Sequence, residues 1–202
     1  MNVLQMYPTS LNERYLDIAT EVLRNGGIIV YPTDTLYAIG CDALNRRAIE
    51  RICAIKGINP QKTNLSVICS DFSQAAEYAR IDNHAFKMMK EYLPGPFTFL
   101  LPAASTLPKI FKDRKIVGVR IPDNPIATKL AETLGNPLLT TSIEWDKEYP
   151  DEAIDPQAVQ YRYRDIADLF IDGGGGSTEP STIVDLTDSR SPEIVRQGAG
   201  II

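Results

Sequence analysis

Three clusters of hydroxyl residues stand beside predicted strands, where short hydrogen-bonding side chains can hold a small polar ligand. They are Thr33-Asp34-Thr35, Thr140-Thr141-Ser142 and Ser181-Thr182. In open α/β sheets, ligands bind in the crevice outside the ends of the strands. One such cluster is common, and Pro32-Thr33-Asp34-Thr35 by itself favours an Asx or Ser/Thr turn. The presence of three clusters predicts a shared cleft.

Two basic residues occupy positions at which a negatively charged partner is expected. Arg120 ends an apolar strand, and a buried arginine requires either an anionic ligand or an internal carboxylate. Lys56 closes a predicted helix, where the helix dipole favours a cation, so a structural role explains it equally well. Arg120 is therefore the stronger indication of an anion site.

The run from Gly173 to Gly176, followed by Ser177-Thr178, offers another possible anion site. Glycine lets successive backbone amides approach a phosphate. The run lacks the spacing of both common nucleotide-binding glycine motifs. A flexible turn before the next strand is therefore the favoured interpretation.

The size and composition are those of an ordinary globular domain. The 202 residues fit one domain spanning 1–202, with 44% hydrophobic and 23% charged residues. No apolar run approaches the roughly 20 residues that a membrane helix requires. The amino-terminal residues lack the basic patch and long apolar core of a secretion signal. We therefore expect a cytoplasmic protein with no membrane partner.

The cysteine and histidine content excludes several classes of enzyme. Cys41, Cys53 and Cys69 are odd in number and contain no C-x-x-C pair, which predicts buried free thiols instead of disulfides or a zinc ribbon. His84 is the only histidine, so a zinc site, a Cys–His pair and a Ser–His–Asp triad each lack an essential part. No metal-binding side chains are predicted.

Charge is distributed unevenly along the chain. The net charge of −5 argues against a general nucleic-acid coat protein. Five basic residues lie between Lys109 and Arg120, and six acidic residues lie between Glu144 and Asp155. Runs of this kind usually form solvated faces.

Apolar residues at helical spacing alternate with short β-branched runs along the chain. Helices are predicted after a capping box at Ser10-Leu11-Asn12-Glu13, after the caps Asn45, Asp71, Asp82 and Asn124, and at 157–164. Strands are predicted at 28–31, 65–69, 97–101, 116–120, 138–141, 169–171, 182–186 and 194–196. The alternation predicts an α/β fold, and the closely spaced carboxyl-terminal strands favour a mixed sheet with flanking helices.

Taken together, the motifs resemble the YrdC and YciO family. Eight segments in the family's order and spacing carry the resemblance over nearly the whole chain. They are Tyr31-Pro32-Thr33-Asp34-Thr35-Leu36-Tyr37, Ile55-Lys56-Gly57, Leu93-Pro94-Gly95-Pro96-Phe97-Thr98, Gly118-Val119-Arg120-Ile121-Pro122, Thr141-Ser142, Asp172-Gly173-Gly174, Ser181-Thr182-Ile183-Val184-Asp185 and Arg196-Gln197-Gly198.

The resemblance implies a YrdC-like fold, a twisted open α/β sheet of mixed direction, and an activity. YrdC-type members make threonylcarbamoyl-AMP and pyrophosphate from threonine, bicarbonate and ATP with Mg²⁺, and the product feeds threonylcarbamoyladenosine formation in tRNA. The family's concave, positively lined surface is also associated with double-stranded RNA. A reaction of this kind depends on positioning and on neutralising phosphate charge, so a single histidine is no obstacle.

The resemblance also implies two groups of site residues. On the threonine side they are Thr33, Thr35, Arg120 and Ser181. On the nucleotide side they are Lys56, Ser142 and Arg196, of which Lys56 and Ser142 are the candidate catalytic residues.

Two positions depart from the pattern of the family's synthases, which carry K-x-R and S-x-N. This chain has Ile58 in place of the arginine and Glu144 in place of the asparagine, and Thr63-Asn64-Leu65-Ser66 resembles the YciO branch. A lost charge-assisted hydrogen bond weakens binding by about 1.5 to 3 kcal/mol. A carboxylate facing a triphosphate repels it, unless Mg²⁺ bridges the two or the side chain turns outward. We expect a synthase homologue whose activity is weak or redirected.

The alternative is a double-stranded RNA-binding or ribosome-associated protein without synthase activity. Its binding surface would be a basic concave face, formed by Arg46, Arg47, Arg51, Lys56, Lys62 and the Lys109 to Arg120 run. The negative net charge counts against this alternative.

Overall fold

Strands from the whole length of the chain meet in one mixed sheet in the computed structural model, which describes residues 1–112, 115–146 and 148–202. The ten strands of the described residues are β1 Asn2–Gln5, β2 Ile29–Tyr31, β3 Ala38–Asp42, β4 Ser66–Ile68, β5 Phe97–Pro102, β6 Ile116–Arg120, β7 Leu138–Ser142, β8 Leu169–Asp172, β9 Thr182–Asp185 and β10 Glu193–Arg196. Their order across the sheet is β1-β8-β2-β3-β7-β4-β6-β5-β9-β10. The predicted mixed α/β sheet is confirmed.

Both strand directions are distributed through the sheet. Strand β8 is parallel to β1 and β2, β4 is parallel to β6, and β5 is parallel to β9. The remaining neighbours are antiparallel, including β7 against both β3 and β4. Strands β6 and β7, which carry Arg120 and Ser142, therefore both border β4.

Eight helices accompany the sheet among the described residues. They are α1 Glu13–Arg24, α2 Arg46–Ile55, α3 Phe72–Tyr78, α4 Asn83–Tyr92, α5 Lys109–Lys112, α6 Pro125–Leu134, α7 Asp151–Ile154 and α8 Pro156–Tyr163. The predicted caps Asn45, Asp71, Asp82 and Asn124 each accept hydrogen bonds from the first turn of their helix. Asp113, Arg114 and Lys147, which belong to the predicted charge runs, lie outside the described residues.

The predicted capping box at Ser10 is wrong. Helix α1 begins at Glu13, and its N-cap is Asn12, whose side chain accepts from the Tyr15 backbone N–H at 3.3 Å. Ser10 instead donates its backbone N–H to the Tyr7 carbonyl at 2.9 Å in the preceding turn. Asparagine is at least as good an N-cap as serine, and Asn12 is the residue that directly precedes the helix.

Strands β1 and β3 were not among the predicted strands. Strand β3 is buried at all five positions, so it has no polar alternation, and it contains Gly40, which is unfavourable in strands. Strand β1 lies at the edge of the sheet with three of its four residues exposed. Neither strand therefore has the usual sequence pattern of a half-buried strand.

Apolar residues on the two faces of the sheet form two separate cores. One core joins Val67, Val119 and Phe99 of the central strands to helices α2, α3, α4 and α8. The other joins Tyr31, Leu138 and Ile171 to helices α1 and α6. Because side chains alternate along a strand, residues next to Val67 and Val119 in sequence lie on the second face.

Beyond the second core, the residues on the same face of the sheet are small and polar. Ser66 of β4 is paired with Gly118 of β6 on one side and with Thr140 of β7 on the other. Arg120 is paired with Ile68 of β4, one pleat further along. Directly paired residues share a face, so these positions form the floor of a polar cleft.

Candidate functional site

A cleft of about 240 Å³ lies on this polar floor. It is lined by Ile58, Thr63, Asn64, Leu65, Ser66, Thr98, Arg120, Thr140, Thr141, Ser142, Ser181, Ile183 and Arg196. Two of the three predicted hydroxyl clusters contribute to the lining, and so do four of the predicted site residues: Arg120, Ser142, Ser181 and Arg196. The predicted shared cleft therefore exists for these residues.

Arg120, the last residue of β6, is buried in the wall of the cleft. Its Nη2 donates to Asp34 Oδ1 at 2.8 Å and to Thr35 Oγ1 at 3.0 Å. Its Nε is buried and has no hydrogen-bond partner among the described residues. Burial lowers the pKa of Arg120, and the charge of Asp34 opposes that shift. Because arginine stays protonated in proteins, Arg120 supplies a positive charge and an uncommitted N–H donor.

The Thr33-Asp34-Thr35 cluster is both a turn and a clamp on Arg120. Thr33 Oγ1 accepts from the Thr35 backbone N–H at 3.0 Å and donates to the Leu36 carbonyl at 2.7 Å. Thr33 and Thr35 do not line the cleft directly, but Thr35 contacts the guanidinium that does. The internal carboxylate considered as a partner for Arg120 is Asp34.

Asp34 belongs to the first predicted cluster, but the sequence reasoning did not identify it as the partner of Arg120. One carboxylate oxygen pairs with Arg120, and the other accepts from the Asp123 backbone N–H at 3.0 Å. Asp34 thus joins the turn after β2 to the loop after β6. Its place between two threonines at the end of a buried strand was the available signal.

Ser181 and Arg196 form the opposite wall together with Thr98, which was not predicted. The hydroxyl oxygens of Thr98 and Ser181 are 2.8 Å apart, and Arg196 Nη2 donates to the Ser181 carbonyl at 2.7 Å. Burial lowers the pKa of Arg196, and the positive charge of Arg120 lowers it further. The two guanidinium groups therefore repel each other, and a bound anion would relieve that repulsion. Thr98 is the single polar residue in the predicted strand 97–101, which was its signal.

Gly118 keeps the floor of the cleft open. A Cβ atom at this position would overlap the Ser66 hydroxyl and would lie 3.0 Å from Thr98 Cγ2. Gly40 leaves room for the Tyr31 ring, because a Cβ atom at position 40 would lie 2.9 Å from that ring. The Tyr31 hydroxyl donates a hydrogen bond to Thr140 Oγ1 at 3.0 Å, so Tyr31 holds in place a residue that lines the cleft.

Lys56 lies behind the cleft wall and not in it. It follows the last residue of α2, as predicted, and its ammonium group donates to the Ser142 carbonyl at 3.0 Å. The same nitrogen lies 2.8 Å from Glu144 Oε1. The carboxylate that replaces the family's asparagine is therefore paired with the predicted catalytic lysine.

Ile58, the second departure from the synthase pattern, lines the cleft directly. It follows α2 by three residues and also packs against the core on the other face of the sheet. An apolar side chain thus stands near Ser142, where the resemblance implies a phosphate-binding arginine. At this position the cleft lacks the donor that the resemblance implies.

The glycine run does not form an anion cradle. The Gly173 amide donates to Tyr37 Oη, the Gly174 amide to Asp172 Oδ1, and the Gly176 amide to the Ile154 carbonyl. Three of the four amides are therefore committed within the protein. The run is an irregular connection between β8 and β9 with a bend at Gly174, and its predicted flexibility stays a prediction.

Besides Arg120, three of the basic residues proposed for RNA binding are paired with acids. Arg46 pairs with Glu50, Arg51 with Asp168 and Lys56 with Glu144. Lys109 is exposed whereas Arg120 is buried, so the two ends of the basic run do not form one surface. These contacts weaken the case for a broad RNA-binding face.

Other sequence expectations concern cysteines, metals and membranes. Cys41, Cys53 and Cys69 are free and buried, as predicted. No three histidine, cysteine or acidic side chains come together as metal ligands in the part of the chain that the structure describes. None of the helices described above is long and apolar enough to cross a membrane.

Comparison with known sequences gives a consistent set of relatives. The Sua5, YciO and YrdC family model, described as telomere recombination, matches residues 21–198. The uncharacterized protein YciO of Escherichia coli (strain K12) is 40% identical over 197 residues, which cover 96% of this chain and 94% of that protein. A threonylcarbamoyl-AMP synthase of Methylobacillus flagellatus is 35% identical over 175 residues, which cover 81% of this chain and 91% of the synthase.

Solved structures agree with these relationships. The crystal structure of E. coli YciO matches with a TM-score of 0.90 and 38% identity, over 100% of this chain and 98% of that chain. The crystal structure of P. abyssi Sua5 complexed with L-threonine matches with a TM-score of 0.84 and 26% identity. The match covers 98% of this chain but 58% of Sua5, so Sua5 contains a large part with no counterpart here.

Proposed function

This chain belongs to the Sua5, YciO and YrdC family, and on that premise we propose that its cleft binds threonine and supports the synthesis of threonylcarbamoyl-AMP, weakly or with a redirected second substrate. The observation that carries the proposal is the guanidinium of Arg120, a buried positive charge that lines the cleft near the second cation Arg196. A carboxylate is the natural acceptor for such a donor. A solved relative, P. abyssi Sua5, has been crystallised with L-threonine.

Residues on two walls of the cleft support the proposal that it binds threonine. Arg120 would bind the threonine carboxylate, held in place by Asp34 and Thr35. The hydroxyl groups of Thr98 and Ser181 would contact the rest of the amino acid. A volume of about 240 Å³ suits a ligand smaller than those of typical drug-binding pockets.

The reaction needs positioned reactants and charge neutralisation more than an acid or base. The threonine amine attacks bicarbonate with loss of water to give a carbamate. A carbamate oxygen then attacks the α-phosphorus of ATP, the bond to the β-phosphate oxygen breaks, and pyrophosphate leaves. Arg196 and Ser142, which line the cleft, would bind the phosphates. The product would serve the threonylcarbamoyladenosine modification of tRNA.

Magnesium would enter this site with ATP. The described side chains form no three-ligand metal site, and the two nearby carboxylates, Asp34 and Glu144, are already paired with cations. Mg²⁺ commonly binds through substrate phosphates and water with few protein ligands. The residues of the cleft therefore fit a metal carried by the nucleotide and not a resident one.

Release of pyrophosphate tests the proposal directly. The purified protein is incubated with ATP and Mg²⁺ while threonine and bicarbonate are each supplied or omitted. We expect slow release that requires both, and we expect the variant Ile58→Arg with Glu144→Asn to be faster. If neither protein releases pyrophosphate in a threonine-dependent manner, the synthase proposal is wrong, and titration with double-stranded RNA at two salt concentrations then tests the alternative.

A further inference from the structure

The ion pair between Lys56 and Glu144 lies beside Ser142 of the cleft lining, where the resemblance implies a phosphate-binding cation. The Lys56 side chain is 10% exposed, and the Glu144 side chain is 68% exposed. The lysine is therefore fixed in the protein, whereas the carboxylate approaches it from the solvent side. Any polyphosphate that reaches Lys56 must displace Glu144 or share the cation with it.

The backbone of Glu144 is held in position by helix α8. Its N–H donates to Tyr163 Oη at 2.8 Å, and its carbonyl accepts from Arg162 Nη1 at 3.0 Å. Tyr163 is itself buried in the core. The backbone of residue 144 is therefore held beside Lys56 by two hydrogen bonds to side chains of α8.

The charges around the cleft complete the argument. Arg120, Arg196 and Lys56 supply three positive charges, and Asp34 and Glu144 neutralise two of them. The remaining excess suits a ligand with one negative charge, such as an amino-acid carboxylate. It is too small an excess for a triphosphate, and Ile58 adds no charge.

We propose that Glu144 is a specificity-determining residue that occupies Lys56 and thereby weakens the binding of polyphosphates at the Ser142 end of the cleft. The proposal rests on the proposed function, because it concerns the nucleotide half of the same site. In this proposal, the carboxylate of Glu144 causes the weak or redirected activity. Removal of that charge should release Lys56 without disturbing the threonine half.

The test measures binding of ATP and of inorganic tripolyphosphate by calorimetry. Glu144→Gln keeps the size of the side chain and removes its charge, and we expect binding of both probes to become about fivefold tighter or more. Glu148→Gln is the matched control. Glu148 is exposed in the same acidic segment and forms none of the ion pairs found among the described residues. It should leave both affinities unchanged.

A second variant tests whether the gain in affinity depends on Lys56. When Lys56→Met is added to Glu144→Gln, the gain in affinity should disappear. Equal gains in the Glu144→Gln and Glu148→Gln proteins would overturn the proposal, because they would show a general field effect. A gain that persists without Lys56, or no gain at all, would overturn it as well.

The failure of this proposal is distinct from failure of the proposed function. Threonine binding and threonine-dependent pyrophosphate release report on the function, whereas the change in tripolyphosphate affinity caused by Glu144→Gln reports on the Lys56–Glu144 pair. Unchanged tripolyphosphate affinity with threonine-dependent release would retain the synthase and remove the role of Glu144. Tighter tripolyphosphate binding without any threonine-dependent release would retain the role of Glu144 and remove the synthase.

Discussion

At the scale of single residues, the site depends on two cations with different partners. Arg120 pairs with Asp34, and both side chains are almost wholly buried, at 6% and 8% exposure. Lys56 pairs with Glu144, whose carboxylate remains largely in water. Breaking a buried pair leaves a charge without compensation, whereas breaking an exposed pair costs little. The Asp34 pair is therefore expected to stabilise the fold, and the Glu144 pair to influence binding.

The variant Asp34→Asn tests the structural role of the buried pair. It leaves the Arg120 charge without its counter-ion, so the free energy of unfolding should fall by about 3 kcal/mol or more. Urea denaturation monitored by circular dichroism measures the change. Asp123→Asn is the control, because Asp123 is exposed and contributes its backbone N–H to this network. A similar loss in both variants would contradict the prediction.

At the scale of the elements, strand pairing decides what the cleft contains. Ser66, Gly118 and Thr140 come from three strands and share one face because β4 lies between β6 and β7. Their neighbours Val67, Val119 and Leu139 face the opposite core. A slip of one residue in any of these strands would replace a polar lining by an apolar one.

The variant Gly118→Ala tests this close packing. Its new methyl group overlaps the Ser66 hydroxyl, so we expect overpacking to lower the free energy of unfolding by about 1 to 3 kcal/mol. Ser66→Ala introduced into the same protein removes the overlapping oxygen and should recover part of the loss. Thermal denaturation of the two single variants and of the double variant measures the coupling. Additive effects would show that the two residues do not interact as described.

The chemistry of the site was easier to predict than its connections. The hydroxyl clusters and Arg120 could be identified because their residue types and local strand patterns are visible in the sequence. The role of Thr98 and the pairing of Asp34 with Arg120 were not predicted, because their partners, Ser181 and Arg120, are distant in sequence. The position of Lys56 at the end of α2 was predictable, whereas its pairing across 88 positions with Glu144 was not.

At the scale of the whole molecule, one of the two cores buries three thiols that resist ionisation. Burial raises the pKa of the Cys69 thiol to about 12 and raises those of Cys41 and Cys53 as well. A raised pKa in the folded state means that the thiol stays protonated there while it ionises in the unfolded chain. Its contribution to stability is therefore complete below the unfolded value of 9.0 and is lost as the pH rises towards the folded value.

The free energy of unfolding should accordingly decrease as the pH rises from the unfolded thiol value of 9.0 towards the folded value of about 12. Urea denaturation at several values of pH measures the slope. The variant Cys69→Ala should show a shallower decrease than the parent protein. An unchanged slope in this variant would mean that Cys69 contributes nothing to the alkaline loss of stability.

The sequence by itself determined the alternation of helices and strands, most of the helix caps, the free cysteines and the set of motifs that places the chain in its family. Those features depend on residues within a few positions of one another, where hydrophobic periodicity and capping act. Only the tertiary structure decided that Asp34 holds Arg120, that Thr98 meets Ser181 and that Glu144 occupies Lys56. These contacts join residues far apart in sequence, and strand order, register and helix docking set their distances, which local patterns do not encode.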